Sequence, residues 1–371
     1  MNKESSVENY KNNSLSHLSS LGWSNFFQSA LVALKSPVGV PARVSGARKN
    51  SFLVTDGRDE WLTTVSGRLL HQDVELFPAV GDWVLVKDSV ITTVLLRQNS
   101  LSRGASGGRG KHMDAARQQQ VIAANLDIVF IVCGLDNDFN VRRIERYITL
   151  IYNCGLTPVV LLTKADTQDS PEDFVYEVES VAFGVPVHAL GFHDESSLQE
   201  VQAYFADGVK TAAMIGSSGA GKSTLLNRLV GKELQRTGDV SAAVMKGRHT
   251  TTERDLITLP NGGLLIDNPG IREIAFWESG DGVSSSFADI EELATGCRFF
   301  DCSHTSEPGC NVLSAVQSGE LSEERLASYH KMKRELWYAS ERQHKTADRL
   351  EKERWKEVAM YARSIKKHGK R

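Results

Sequence analysis

The chain has 371 residues, enough for two or three domains that each bury a core. Its 43 lysines and arginines against 46 aspartates and glutamates leave a formal net charge of −3, which excludes a uniformly basic nucleic-acid-binding coat but not a local basic patch. No run approaches the roughly 18 apolar residues of a membrane span, and the opening MNKESSVENYKNNSLSHLSS lacks the apolar centre of a signal peptide. The expectation is a soluble, cytoplasmic protein with no membrane partner.

Residues 1–37 are rich in Ser and Asn and predict a mobile arm with one short helix in WSNFFQSALVAL. From 38 to 102, short β-rich runs (ARVSG, SFLVTDG, EWLTTVSGRLL, GDWVLVKD, SVITTVLL) alternate with turn residues. Five short strands in so few residues predict a small closed barrel, an OB-fold in the economical reading and an SH3-like barrel in the other. Residues 103–120, with RGASGGRGKHMDAARQQQ, form a basic, glycine-rich linker that is either simply solvated or a contact for RNA.

Residues 121–280 read as alternating strands and helices. LDIVFIVCGL, TPVVLLT, VPVHAL and TAAMI are buried-strand runs, and VRRIERYITLIYNCG puts Val141, Ile144, Tyr147, Ile148 and Ile151 on one helical face. Such alternation predicts a parallel sheet covered by helices, with ligands at the carboxyl ends of its strands. Residues 281–340 predict a helical module that carries three cysteines. The tail, 341–371, is helical and basic, and beyond Leu321 about fifteen Lys and Arg face about eight acidic residues. Cys133 and Cys154 stand alone in apolar runs and read as small buried hydrophobes.

GSSGAGKST, Gly216 to Thr224, is a phosphate loop placed after a short strand and before an amphipathic helix. Ile215, Gly216, Ser217, Ser218, Gly219, Ala220, Gly221, Lys222, Ser223 and Thr224 are its expected nucleotide contacts. The glycines let backbone N–H groups wrap a phosphate, Lys222 reaches the β- and γ-oxygens, and Ser223 ligates Mg²⁺. The loop alone does not separate GTPases from ATPases or kinases.

Thr163-Lys164-Ala165-Asp166 selects the base. A carboxylate at Asp166 accepts from both N1–H and the exocyclic amine of guanine, a donor pair adenine lacks, while the Lys164 stem covers the purine face. HALG, from His188 to Gly191, offers the Ala189 backbone N–H to the guanine carbonyl. In an ordinary GTP-binding domain the phosphate loop precedes these elements; here it follows them. Downstream, GRHTTT (Gly247 to Thr252) suits a switch loop, with Thr251 favoured over Thr250 and Thr252 for Mg²⁺. GLLIDNPG supplies Asp267 on the Mg²⁺ side and the Gly270 N–H for the γ-phosphate. Ile271 cannot orient water, so hydrolysis is expected to be slow unless another group assists. His249 is the candidate, an ordinary surface histidine its alternative.

CRFFDCSHTSEPGC places Cys297, Cys302, His304 and Cys310 as C-x4-C-x-H-x5-C, the donor set of a closed structural zinc site, with a set of reduced thiols as the other reading.

TKAD, GSSGAGKST, GRHTTT, DNPG and CRFFDCSHTSEPGC, in this order behind a barrel-like segment, resemble the RsgA (YjeQ) family of circularly permuted GTPases, from about Val38 to Tyr338. The resemblance implies slow GTP hydrolysis to GDP, stimulated by the small ribosomal subunit and coupled to release from it. It further implies binding to the subunit's 16S rRNA through the barrel and zinc module, one zinc per chain, Mg²⁺ with GTP, and a monomer off the ribosome. Departures are Thr163 where Asn is usual, Asn268 where Thr is commoner, the long arm, and the basic tail after about Gln343. An RNA-binding scaffold with a mainly structural nucleotide pocket is the alternative from another class.

Overall fold

The structure is a computed structural model that describes residues 15–34, 36–48, 51–70, 77–103, 120–192, 195–232, 254–267 and 281–344. The described residues fall into two compact units, one up to residue 267 and the other from 281.

The first unit opens on a 3₁₀ turn, Leu15–Leu21, and helix α1, Asn25–Val32. This part of the expected arm is packed down: Leu18, Leu21, Phe27 and Leu31 are buried with Trp83, Leu85 and Leu95 of the barrel. Trp23 meets Trp83 edge-on at 4.7 Å. Apolar side chains at this spacing gain too much from burial to stay in water.

Five strands follow: β1 (Val40–Ala47), β2 (Phe52–Thr55), β3 (Glu60–Val65), β4 (Trp83–Lys87) and β5 (Val90–Val94). Antiparallel β1–β2, β2–β3, β4–β5 and β1–β4 ladders and a parallel β3–β5 pair close the barrel in the five-stranded Greek-key order of an OB-fold. A bulge between Val44 and Gly46 lets β1 serve two partners, β4 through residues 40–43 and β2 through 43–47. EWLTTVSGRLL is not one extended run: its strand stops at Val65, and Gly67–Leu70 forms a helical turn, α2.

Arg43 is buried in this unit and donates to the carbonyls of Leu21 (2.5 Å), Gly81 (3.1 Å) and Asn125 (3.1 Å). One side chain thereby ties the packed arm, the barrel and the chain entering the next section. Burial pulls its pKa down to about 10.

β6 (Ser100–Arg103) and β7 (Gln120–Ala124) form an antiparallel pair at the two ends of the expected linker, whose residues 104–119 lie outside the described set. Then come β8 (Ile128–Gly134), α3 (Val141–Asn153), β9 (Thr157–Thr163), α4 (Pro171–Glu179), β10 (Val187–Leu190), α5 (Glu195–Ala203), β11 (Thr211–Ile215), α6 (Lys222–Val230), β12 (Arg254–Thr258) and β13 (Leu264–Asp267). The predicted face of α3 is buried at Ile144, Tyr147, Ile148 and Ile151. Pro171 opens α4, where its missing N–H costs no helical bond.

The sheet runs β10-β9-β8-β11-β13-β12, with all neighbours parallel except the edge pair β12–β13. The strands that come first in the chain, β8 to β10, thus lie on one side of β11, and the last two lie on the other. β12 also pairs with β1 at Gly46↔Asp255 and Ala47↔Arg254, so barrel and parallel sheet are one continuous eleven-stranded sheet. Arg48 fastens the joint with an ion pair to Asp255 at 2.7 Å.

The second unit contains α7 (Asp281–Ser286), α8 (Ala288–Ala294), α9 (Asn311–Ser318) and α10 (Glu323–His344). Phe287, Ile290, Val312 and Tyr329 are buried in it. Arg325 grips Asp289 with two 2.7 Å bonds, donates to the Ser286 carbonyl at 2.9 Å and lies over the Phe287 ring. Among the described residues no helix is long and apolar enough to cross a membrane.

Candidate nucleotide site and cysteine-histidine cluster

Strands β8, β9, β10, β11 and β13 are parallel, so Gly134, Thr163, Leu190, Ile215 and Asp267, their last residues, lie at one edge of the sheet. Ligands bind at that edge in open α/β sheets.

β11 is buried along its whole length, Ile215 included, and passes into the phosphate loop at Gly216. A Cβ on Gly216 (φ 149°) would lie 2.1 Å from the Val132 carbonyl oxygen of β8, so the position admits no side chain. Gly221 (φ 89°) starts α6 in the left-handed region, where a Cβ would meet the Phe192 ring at 3.0 Å and the Thr163 hydroxyl at 3.1 Å. Leu225, Leu226 and Leu229 anchor α6 in the core and hold its N-terminus toward the loop. Lys222 donates to the carbonyls of Gly216 (2.9 Å) and Ser217 (2.5 Å). Ser223 and Thr224 stand in the first turn of α6, half-buried, and Ser218 and Gly219 form the exposed tip of the loop.

Thr163 is fully buried, and its hydroxyl donates to the Ala220 carbonyl at 2.7 Å. The end of β9 is thereby tied to the loop that precedes α6. Lys164 adopts left-handed backbone (φ 62°), turning the chain into the 3₁₀ turn Ala165–Thr167; Ala165 is buried there and Asp166 exposed. Ala189 lies in β10, opposite Leu162 of β9. His188 is held by Glu200 Oε2 and the Tyr204 hydroxyl, both at 2.7 Å, so it braces β10 against α5. Asp267 ends β13 beside β11, with Ile266 opposite Ala213. Thr250, Thr251, Thr252, His249, Gly270, Asn268 and Ile271 lie outside the described residues.

Sequence reasoning missed the loop after β8. The Lys164 ammonium pairs with Asp136 at 2.6 Å, and the Ser217 hydroxyl donates to Asp138, whose carboxylate also pairs with Arg143 at 2.8 Å. The Lys164 and Ser217 contacts join partners too distant in the chain to leave a local pattern: the parallel β8–β9 pairing brings Lys164 to Asp136, and the parallel β8–β11 pairing brings Ser217 to Asp138.

In the second unit the ligand atoms of Cys297, Cys302, His304 and Cys310 all lie within 4.8 Å of one another. Cys297 Sγ is 3.8 Å from Cys310 Sγ and 3.7 Å from His304 Nδ1, which is 3.4 Å from Cys310 Sγ. A tetrahedral ion at ordinary zinc bond lengths would separate two sulfurs by about 3.8 Å and a sulfur from a nitrogen by about 3.5 Å. The cluster therefore fits a metal ion. Its turn is ordered by Glu307, which accepts from the backbone N–H groups of Ser303, Thr305 and Ser306 and from the Ser303 hydroxyl. These bonds, the Ser303 hydroxyl first, hold the Glu307 carboxyl well below the usual range. Cys310 caps α9, its sulfur accepting from the Leu313 N–H.

The sequence matches the model of the RsgA GTPase family over residues 94–277. It is 41% identical to the small ribosomal subunit biogenesis GTPase RsgA of Opitutus terrae over 358 residues, 92% of this chain and 95% of the other. The chain belongs to the RsgA GTPase family. A second RsgA, from Methanosarcina acetivorans, is 39% identical over 378 residues, 100% of this chain and 99% of the other. Among solved structures, YjeQ from Thermotoga maritima is similar at 26% identity and a TM-score of 0.57, covering 80% of this chain and 98% of its own. YloQ, described as a circularly permuted GTPase, shares the fold at 22% identity and a TM-score of 0.54, covering 80% of this chain and 94% of its own. As an RsgA GTPase, a GTP hydrolase, the chain keeps β8, β9, β10 and β11 side by side in one parallel sheet.

Proposed function

We propose that this chain hydrolyses GTP while bound to the small ribosomal subunit and its 16S rRNA, assists late maturation of that subunit, and leaves it as a GDP-bound cytoplasmic monomer. The observation that carries this reading is the Thr163 bond to Ala220, which joins a guanine-reading segment to a phosphate loop at one sheet edge. The names of the relatives, matched over nearly the whole chain, support the ribosomal setting.

In this reading Asp166 accepts from the guanine edge, the Lys164 stem covers the purine face and the Ala189 N–H meets the guanine carbonyl. Loop residues Gly216 to Thr224 cradle the phosphates, and Lys222 neutralises charge on the β- and γ-oxygens. Ser223, Thr251 and Asp267 would hold Mg²⁺, which when bound offsets charge as the phosphoryl group transfers. Gly270 donates to the γ-phosphate, and His249 takes the water-orienting role that Ile271 cannot fill. Cys297, Cys302, His304 and Cys310 would hold one zinc ion that knits the C-terminal module; burial lowers the His304 pKa and favours the neutral ring a metal needs. The barrel of residues 38–102 and the module of residues 281–340 are the RNA-facing parts.

The test is steady-state hydrolysis by the purified chain, with and without small subunits. GTP but not ATP is expected to be turned over, small subunits to raise the rate, and Lys222→Ala to abolish it. An unchanged rate with small subunits would overturn the ribosomal part. RNA association indifferent to GTP, GDP or neither would favour a scaffold instead.

A further inference from the structure

The loop after β8 takes no part in the assignments above, yet both halves of the nucleotide site lean on it. Asp138 Oδ2 accepts from the Ser217 hydroxyl. Its Oδ1 accepts from Arg143 Nη2 at 2.8 Å, and the same nitrogen donates to the Asp138 carbonyl. Arg143 is itself set by the start of α3, where Asn140 caps the helix and its Oδ1 accepts from the Arg143 N–H at 2.9 Å. Two residues before Asp138, Asp136 Oδ2 accepts from Lys164 Nζ at 2.6 Å, while Asp136 Oδ1 accepts from the Asp138 N–H at 3.0 Å. A single segment, residues 136–143, thus connects the lysine of the base-reading element to the second residue of the phosphate loop.

The Ser217 contact differs in kind from the others that hold the loop. The Lys222 ammonium donates to the Gly216 and Ser217 carbonyls, but its charge is what a β- or γ-phosphate attracts, so those bonds compete with its work on the nucleotide. The bond to Asp138 involves only the Ser217 side chain. It leaves the main-chain N–H groups for phosphate and does not depend on where Lys222 points. A hydroxyl on a carboxylate that is itself paired with a guanidinium is a strong, directed bond, and a phosphate cradle works best when its N–H groups are aimed in advance.

We propose that Asp138, held by Arg143, is a positioning residue for GTP binding and turnover, acting through the Ser217 hydroxyl to fix the backbone of the phosphate loop. This rests on the GTPase reading above. In this role Asp138 acts on the loop through Ser217 rather than on the nucleotide.

The experiment follows a fluorescent GDP analogue binding to and leaving the full chain, for the wild type, Ser217→Ala, Asp138→Asn, Asp138→Ala and the double variant Asp138→Ala/Ser217→Ala, with a melting temperature for each. Ser217→Ala is expected to weaken GDP binding about tenfold, the scale of one lost bond to a charged group, mainly through faster release. Asp138→Ala is expected to do at least as much and Asp138→Asn less. Removing the Ser217 hydroxyl should then change nothing further in the Asp138→Ala background. Additive losses in the double variant would overturn the proposal, as would a lowered melting temperature with unchanged GDP release from Ser217→Ala. Ser217→Ala deletes one oxygen, so it stands as a test if Asp138→Ala does not fold. A wild-type chain that binds no guanine nucleotide would bring down the GTPase reading and this proposal with it. Wild-type binding with additive variants would overturn the positioning role alone.

Discussion

At position 163 the sequence departs from the usual asparagine, and the structure gives threonine a clear task. Its hydroxyl reaches the Ala220 carbonyl at 2.7 Å from a fully buried site, so a short side chain supplies a strut across the pocket. Asp166, three residues on, is exposed at the sheet edge, where its two oxygens suit the two donors of guanine. Asp166→Asn keeps the shape but turns one acceptor into a donor. GDP affinity should fall by about a hundredfold, as expected for losing bonds to a charged group. Xanthosine diphosphate should gain, because its 2-carbonyl accepts from the new amide while N1–H still meets the amide oxygen. Competition binding with the two nucleotides measures the switch; an equal loss for both would place Asp166 away from the base. Candidate contacts at these positions can be proposed from sequence because phosphate and guanine each demand a specific donor or acceptor. The supports cannot: Ser217 and Asp138, or Arg43 and the Leu21 carbonyl, meet only once strands pair and helices pack.

Whole elements were easier to read than their ends. The five barrel strands, the strand-helix alternation and the buried face of α3 follow from hydrophobic period. The helical turn at Gly67–Leu70 escaped because a four-residue element carries too little periodic signal, and the packing of α1 on Trp83 is tertiary. The C-x4-C-x-H-x5-C segment was legible for a different reason, since thiolate and imidazole spacing reflects coordination rather than period. Among the described residues the second unit has four helices, and an ion held by these four ligands would tie the turn to the cap of α9 and supply much of the unit's stability. Apparent metal-binding energies of structural zinc sites are on the order of 10 kcal/mol or more, comparable to the stability of a whole domain. Metal analysis of the purified chain should therefore find one zinc. Cys302→Ala should lose it and, with it, the helical circular dichroism and melting transition of this unit. Retention of stoichiometric zinc by Cys302→Ala would rule out the four-ligand set.

At the scale of the whole chain, permutation decides what the segments proposed to sense the nucleotide are attached to. GRHTTT leads within two residues into β12, which pairs with barrel strand β1 at Gly46↔Asp255 and is clasped by Arg48. A Cβ on Gly46 would meet Asp255 Oδ1 at 2.8 Å, so the joint is close-fitting. On the other side, Asp267 and DNPG lead along the chain toward the helices that carry the cysteine cluster. Each segment expected to meet the γ-phosphate is thus joined, by pairing or by sequence, to a part proposed to face RNA. Salt should then act differently on the two rates. Hydrolysis by the free chain depends on groups a few ångströms apart inside the site, where screening is weak. Stimulation by small subunits depends on cations displacing counterions from RNA phosphates. For about five such contacts the association constant falls with a log–log slope of about −3.5, a loss of roughly a hundredfold between 50 and 200 mM salt. Measured across that range at fixed, subsaturating subunit concentration, stimulation should collapse while the basal rate barely moves. Parallel decline of both rates would locate the salt-sensitive step in the nucleotide site itself, and the barrel and C-terminal module would lose their part as electrostatic grips on RNA.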